Sequence, residues 1–304
     1  MRWIDLKRDL RMNKGLYILM LPIVLFVIVF NYLPMGGIVL SFERFTPKNG
    51  VFFSEWVGLK QFVTFFSSVY FFRILKNTLI LSLLGMVIGF PMPIIFALFL
   101  NEIEHEWFKK CIQVVTYMPH FISTVVIAGI IIDFVDTQGL ITQVLVKLGF
   151  LKQAKNLLTM APYFRPIMVL SDLWQSVGFG SILYLATLSG INQELYEAAI
   201  IDGANRWKQA WHVTLPGITP TITIMLIMRI GSLLSANSDK ILLLYNSLIY
   251  EVSDVIGTFT YRKGLIEQDY GYSAAVGLFN SIIGMILLTI SNGISRKIGD
   301  TSLF

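Results

Sequence analysis

The strongest constraint in this sequence is a set of six long apolar runs, at about 16–40, 74–100, 112–135, 167–190, 218–244 and 275–294. A helix needs about 20 mostly apolar residues to cross the hydrocarbon core of a bilayer. Only helices and closed barrels satisfy their backbone there, so runs of this length predict an all-α membrane protein with six transmembrane helices. Composition agrees. Charged residues make up 14% of the chain, where a soluble domain carries about 25%. The single cysteine, Cys111, excludes an internal disulfide framework and a cysteine zinc cluster. A net charge of +5 points to a basic membrane face rather than to nucleic acid.

The first run exceeds the usual signal-peptide core of about 7–15 residues, and no small-x-small site follows it, so it reads as a retained signal anchor. Arg2, Lys7, Arg8, Arg11 and Lys14 precede it, and Arg296 and Lys297 follow the last run. Both termini are therefore expected in the cytoplasm. The outer loops also carry lysine and arginine, so this orientation rests mainly on the basic N-terminus. The expected organisation is a basic N-terminus (1–15), a first span with its outer loop (16–69), a core (70–295) and a cytoplasmic tail (296–304). The aromatic stretch Val51–Tyr70 suits either a helix lying in the interface or ordinary packing on the outer ends of the spans. Pro91, Pro93 and Pro119 fall inside apolar runs and each predicts a kink. A kinked helix is compatible with a bundle that opens and with a static bend alike.

The inner loop 193–217 is the most informative segment. Asn192 is placed to cap a first short helix, and Asp202 a second. Gly203 at the junction permits a tight turn or a close approach, and Leu215-Pro216 opens the next span. Trp207 and Trp211 call for a membrane surface or a docking partner. Glu197-Ala198-Ala199, Gly203, Val213 and Leu215-Pro216, at their spacing, resemble the EAA motif of ABC importer permeases, with Val213 where the usual residue is Ile. Leu16–Pro22, Tyr117–Phe121, Trp174–Gly178 and Ile294–Lys297 are similar to the oligosaccharide permeases of Gram-positive bacteria. The resemblance covers nearly the whole chain. It implies a type I importer permease fold and a cell-membrane location. It also implies a coupling helix that docks on a separate ATPase, with Glu197, Ala198, Ala199, Asp202, Gly203, Leu215 and Pro216 at or beside that contact. The implied partners are a second homologous permease, an ABC ATPase dimer, an extracellular solute-binding lipoprotein, membrane lipid, and a sugar or oligosaccharide cargo. The large extracellular insert of the maltose-type subunit is absent.

No GxxxxGK[ST] phosphate loop occurs, so ATP and Mg are expected to be used by the partner and no cofactor is expected on this chain. His105, His120 and His212 show no metal-ligand spacing, and no nucleophile elbow is present, so the chain reads as non-catalytic. Charged residues inside spans are costly and are functional candidates by default. Arg229 lies about ten residues into the fifth run, near the midplane. Asp172, Gln175, Ser176 and Phe179 share one helical face, Arg229, Ser232 and Ala236 another, and Asn280 adds a polar group on the last span. These residues suit a saccharide path, and Arg229 suits an acidic cargo. Equally, Arg229 pairs with Asp172 or another partner and never meets solute. A secondary transporter driven by an ion gradient is the alternative class. It calls for internal repeats or paired broken helices, and neither is visible in the sequence.

Overall fold

A computed structural model describes residues 9, 12–51, 53–235 and 237–298. Among these, five helical stretches are long and apolar enough to cross a membrane: Lys14–Phe42, Phe71–Asn101, Thr124–Lys147, Arg206–Gly231 and Tyr270–Lys297. The expected fourth span corresponds to a 28-residue helix, Ala161–Leu188, about 42 Å long at 1.5 Å per residue. Arg165, Asp172 and Gln175 dilute its apolarity.

The chain divides into two compact units, 1–66 with 263–278, and 67–262 with 279–304. In the first, α1 (Lys14–Val27) continues through a π turn, Ile28–Tyr32, and a 3-10 segment, Gly36–Phe42. Two-residue strands β1 (Glu43–Arg44) and β2 (Glu55–Trp56) pair antiparallel, Glu43 opposite Trp56. Among the described residues of the aromatic stretch, Lys60–Phe66 is helical, as α2. Its Phe65 is fully buried, edge-on to Tyr272.

The second unit is a helical bundle: α3 (Phe71–Val87), α4 (Pro91–Asn101), α5 (Glu106–Tyr117), α6 (Thr124–Val135), α7 (Leu140–Lys147), α8 (Ala161–Leu188), α9 (Gln193–Ile201), α10 (Arg206–Gln209), α11 (Leu215–Gly231), α12 (Ser238–Leu244), α13 (Tyr250–Ser253) and α14 (Ile256–Tyr261). It is completed by the later part of α15 (Tyr270–Ile298). One core joins α6, α8 and α12 through Ile127, Ile131, Phe164, Met168, Ile241 and Leu244, and a second joins α4, α8 and α11 through Ile94, Ala97, Tyr184 and Ile218. Helix α8 crosses α5 where a Cβ on Gly178 would lie 2.2 Å from the Thr116 carbonyl oxygen, so no side chain fits there. Helix α11 also comes close to α15, here against a flexible side chain. A Cβ on Gly231 would lie 2.6 Å from Leu288 Cδ1.

Two expected spans are not continuous helices. In the third, α5 runs into a 3-10 turn, Met118–Phe121, the chain extends at Ile122 and Ser123, and α6 begins afresh with the Ser123 hydroxyl accepting from the Val126 N–H at 3.3 Å. Pro119 lacks the N–H that would continue the ladder, and its ring crowds the preceding turn. In the fifth, α11 ends at Gly231 and helix resumes only at Ser238. That gap is rich in short polar side chains, which compete with the helix for backbone hydrogen bonds. The second span stays one helical stretch: between α3 and Pro91 at the start of α4 the bonds from Ile88 to Leu84, Gly89 to Gly85 and Phe90 to Met86 persist, so the prolines distort the helix locally without ending it.

Candidate functional site

The loop after α8 is built around one glycine. The Asn192 side chain caps α9, accepting from the Glu194 N–H at 3.0 Å. At the other end of α9, the Ala204 N–H reaches the Ala199 carbonyl at 2.9 Å and the Gly203 N–H reaches Ile200 at 3.0 Å. This bond pair is the Schellman stop, which needs a left-handed residue at its turn, and Gly203 supplies it at φ +73°. Asp202 does not cap the following helix as expected. It closes α9, and Asn205 caps α10, accepting from the Lys208 N–H at 2.9 Å. The reason is register: the glycine turn occupies positions 203 and 204, so the first free N–H groups of α10 come within reach of Asn205. From Arg206 the chain is helical through Gly231, with a π turn over Ala210–Thr214 ahead of Pro216. A π turn there relieves the clash of the proline ring with the carbonyl four residues back.

Glu197, Ala198, Asp202 and Pro216 are exposed, and Ala199 and Leu215 are half-buried. Ile201 is 85% exposed, Trp207 79% and Trp211 70%, which gives the loop an apolar outer surface. Arg206 bonds Glu102 at 3.1 Å and Glu104 at 3.4 Å, tying the loop to the end of α4. Tyr196 and Thr214 share a hydroxyl–hydroxyl bond of 3.1 Å that holds α9 to the start of α11.

The second group of expected residues lies along α8. Asp172 accepts from Lys240 Nζ at 2.5 Å and from Asn237 Nδ2 at 3.1 Å. Lys240 is fully buried, while the Asp172 side chain remains 40% exposed. Ser176 donates to the Asp172 carbonyl at 2.6 Å. Two turns beyond Asp172, Phe179 stacks on His120 with ring centroids 3.9 Å apart and planes 3° from parallel, and meets Phe121 edge-on at 5.8 Å. One face of α8, with Gln175 and Ser176 in its middle, is therefore bounded by the fifth-span break at Asn237 and the third-span break at His120–Phe121. The seven residues from Asp172 to Phe179 span about 10 Å.

Arg229 is exposed and stands two residues from the end of α11, at the helix break rather than deep in a continuous span. It does not pair with Asp172. Among the described residues no carboxylate lies within ion-pair distance of it, and a Cβ on Gly85 would sit 3.4 Å from its Nη2. Its place in the last helical turn is favourable for a cation. Ser232 folds back to donate to the Arg229 carbonyl at 3.0 Å. Asn280 Oδ1 is buried without a hydrogen-bond partner among the described residues. Ala236 lies outside the described residues.

Sequence reasoning missed Lys240, Asn237, His120, Phe121 and Asn205. Lys240 had a signal, a lone lysine inside an apolar run. The aromatic pair had none, because positions 120 and 179 meet only through the fold.

A family model, binding-protein-dependent transport system inner membrane component, matches residues 85–299. The chain is 42% identical over 301 residues to Protein LplB of Bacillus subtilis (strain 168), covering 98% of this chain and 92% of that protein. It is 39% identical over 293 residues to the polygalacturonan/rhamnogalacturonan transport system permease protein YteP of the same organism, covering 96% and 91%. A chain in the crystal structure of a bacterial ABC transporter involved in the import of the acidic polysaccharide alginate superposes with a TM-score of 0.88. It is 39% identical, and the match covers 97% of this chain and 99% of that one.

Proposed function

The chain belongs to the family of binding-protein-dependent transport system inner membrane components, and from that premise we propose that it forms half of the translocation pathway for an acidic oligosaccharide. Membership makes it a multi-pass permease of the cell membrane and decides against the gradient-driven alternative. The second half of the path is a homologous permease, and an extracellular binding protein delivers the cargo. ATP and Mg are used by a separate ATPase dimer, which docks on the loop 193–217. With the expected six spans and both termini inside, that loop lies at the cytoplasmic face. Glu197, Ala198, Ala199, Asp202 and Gly203 lie at the docking surface, and Leu215 and Pro216 pass the motion into α11.

The observation that carries the cargo reading is Arg229, a cation at a helix break with no carboxylate in ion-pair reach among the described residues. An intramembrane charge without a partner is costly, and an anionic solute in transit satisfies it. Gln175, Ser176 and Phe179 supply the amide, hydroxyl and aromatic surface that sugar rings use. Uptake by the reconstituted importer tests this. Arg229→Ala is expected to lower uptake of a uronate oligosaccharide at least tenfold while sparing a neutral one of equal length. Unchanged uronate uptake refutes it.

A further inference from the structure

Two guanidinium groups converge on one carboxylate at the end of the bundle away from the coupling loop, and a third, Arg165, joins them through Asn77. Asp254 is fully buried. Its Oδ2 accepts from Arg262 Nη2 at 2.7 Å and Arg73 Nη2 at 3.4 Å, and its Oδ1 from Thr258 Oγ1 at 2.9 Å and Arg262 Nη1 at 3.3 Å. Asn77, one turn along α3 from Arg73, donates to the Asp254 carbonyl at 3.1 Å and accepts from Arg165 Nη2 at 2.9 Å. Arg165 opens α8, whose far end leads into the coupling loop 28 residues away.

The network holds three positive charges and one negative. Among the described residues, no second carboxylate lies within ion-pair distance of Arg73, Arg165 or Arg262. Arg73 Nε and Arg165 Nε are both buried without a hydrogen-bond partner. Burial works against the Arg262 charge, but the hydrogen bond and charge of Asp254 outweigh it and hold its pKa above the ordinary arginine value. That leaves Arg165, which bonds the Asn77 amide, and Arg73, whose contact with Asp254 is 3.4 Å, as the least neutralised of the three cations. A surplus of recessed charge is costly unless an anion neutralises it.

The recess favours a small ligand over a protein surface, since the Arg73 side chain is only 33% exposed and Arg262 19%. The arginines also lie over aromatic rings, Arg73 5.0 Å from the Tyr70 centroid and Arg262 4.8 Å from Tyr250. Guanidinium forks match carboxylates, and aromatic faces beside them suit the C–H face of a sugar ring. We propose that Arg165 and Arg73 form an anion-receiving site at this mouth of the pathway, which takes the carboxylate of a uronate oligosaccharide before it reaches Arg229. This rests on the acidic-cargo reading above and adds to it an entry site some tens of ångströms from the coupling loop.

The test uses the full importer, both permeases with the ATPase, in lipid nanodiscs. Binding of tetragalacturonate and of neutral cellotetraose is measured first without the binding protein, and uptake is then measured with it. Arg165 contacts Asn77 and not Asp254, so Arg165→Gln leaves the buried ion pairs in place, and Arg73→Gln is the second variant. Each is expected to weaken tetragalacturonate binding about tenfold, the loss of one charge-assisted contact, with cellotetraose unaffected and Arg165→Lys retaining part of the affinity. Equal loss for both sugars, or no change in either variant while wild type prefers the acid, overturns the site and leaves the cargo reading standing. Wild type showing no preference for the acid overturns both. A defect confined to docking of the unliganded binding protein assigns the arginines to an acidic protein surface and also refutes the proposal.

Discussion

Replacing Gly203 isolates a single physical term. A Cβ added there meets no atom within 4 Å, so steric bulk is not the obstacle. The backbone is, at φ +73°. An L-residue pays about 1–2 kcal/mol for the left-handed conformation, with Asn and Asp least affected and β-branched residues worst. If α9 is to keep its two closing bonds, that cost falls on the folded loop. If it escapes the cost, the bonds from Ala204 to Ala199 and from Gly203 to Ile200 are lost and the exposed Ile200–Ile201 edge is displaced. Either way the population of the loop in its present shape drops by a factor of roughly 5–30. The assay is solute uptake and ATP hydrolysis measured together in proteoliposomes containing the whole importer. The expected order of uptake is Gly203, then Asn, then Ala, then Val, with transport per ATP falling in the same order. Bulky Gly203→Trp is expected to uncouple hydrolysis from transport on the same grounds. A Val variant that couples like wild type, or Asn and Val variants that fail equally, would show that the left-handed turn does not matter.

Other substitutions probe the rest of the site. Lys240→Met strands the Asp172 carboxylate. Discounted for the partial exposure of Asp172, this should cost about 1–3 kcal/mol, seen as a lowered Tm in detergent, and Asp172→Asn in the same chain should recover most of it; no recovery means the two are not a pair. Gly178→Ala places a Cβ 2.2 Å from the Thr116 oxygen and should destabilise by about 1–3 kcal/mol. Gly180→Ala, facing the Pro93 ring at 3.2 Å, should be milder, and the reverse order in thermal unfolding contradicts the crossing described above. Asn205→Ala removes the α10 cap at a cost of about 1 kcal/mol, expected as faster amide exchange over Arg206–Gln209, whereas Asp202→Ala should leave that segment unchanged.

The apolar runs and the loop motif were legible because each rests on local rules. Length and hydropathy announce a span, and Glu197, Gly203 and Pro216 sit at fixed offsets along one segment. The breaks were less legible. Hydropathy reads 112–135 and 218–244 as continuous, because the residues at the gaps stay apolar enough for lipid. Only backbone hydrogen bonding shows that Ser123 restarts a helix and that α11 stops at Gly231. The partners of Asp172 and Phe179 were least legible. Both stand on a face that the 3.6-residue period identified, but Lys240 is 68 residues from Asp172 and His120 is 59 from Phe179. Periodicity fixes which side chains share a face and says nothing about what faces them.

The closest contacts of α8 decide what the helix is able to do. A helix held by long side chains absorbs a displacement by changing rotamers, whereas α8 meets α5 through a glycine against a backbone carbonyl and meets α4 through Gly180 against a proline ring. Neither contact has a rotamer to spare. At its coupling end only four residues, Ser189–Asn192, separate it from α9, and the Asn192 cap and the Ile191 N–H bond to Leu188 stiffen that link. Under the proposed coupling role, a displacement of the loop is passed to α8 through this short link. The helix carries Phe179, Asp172 and Arg165 at successive positions along its length, so a shift of α8 bears on the aromatic stack, the Lys240 pair and the arginine network. That is what a subunit requires if it receives force at one end and handles solute at the other.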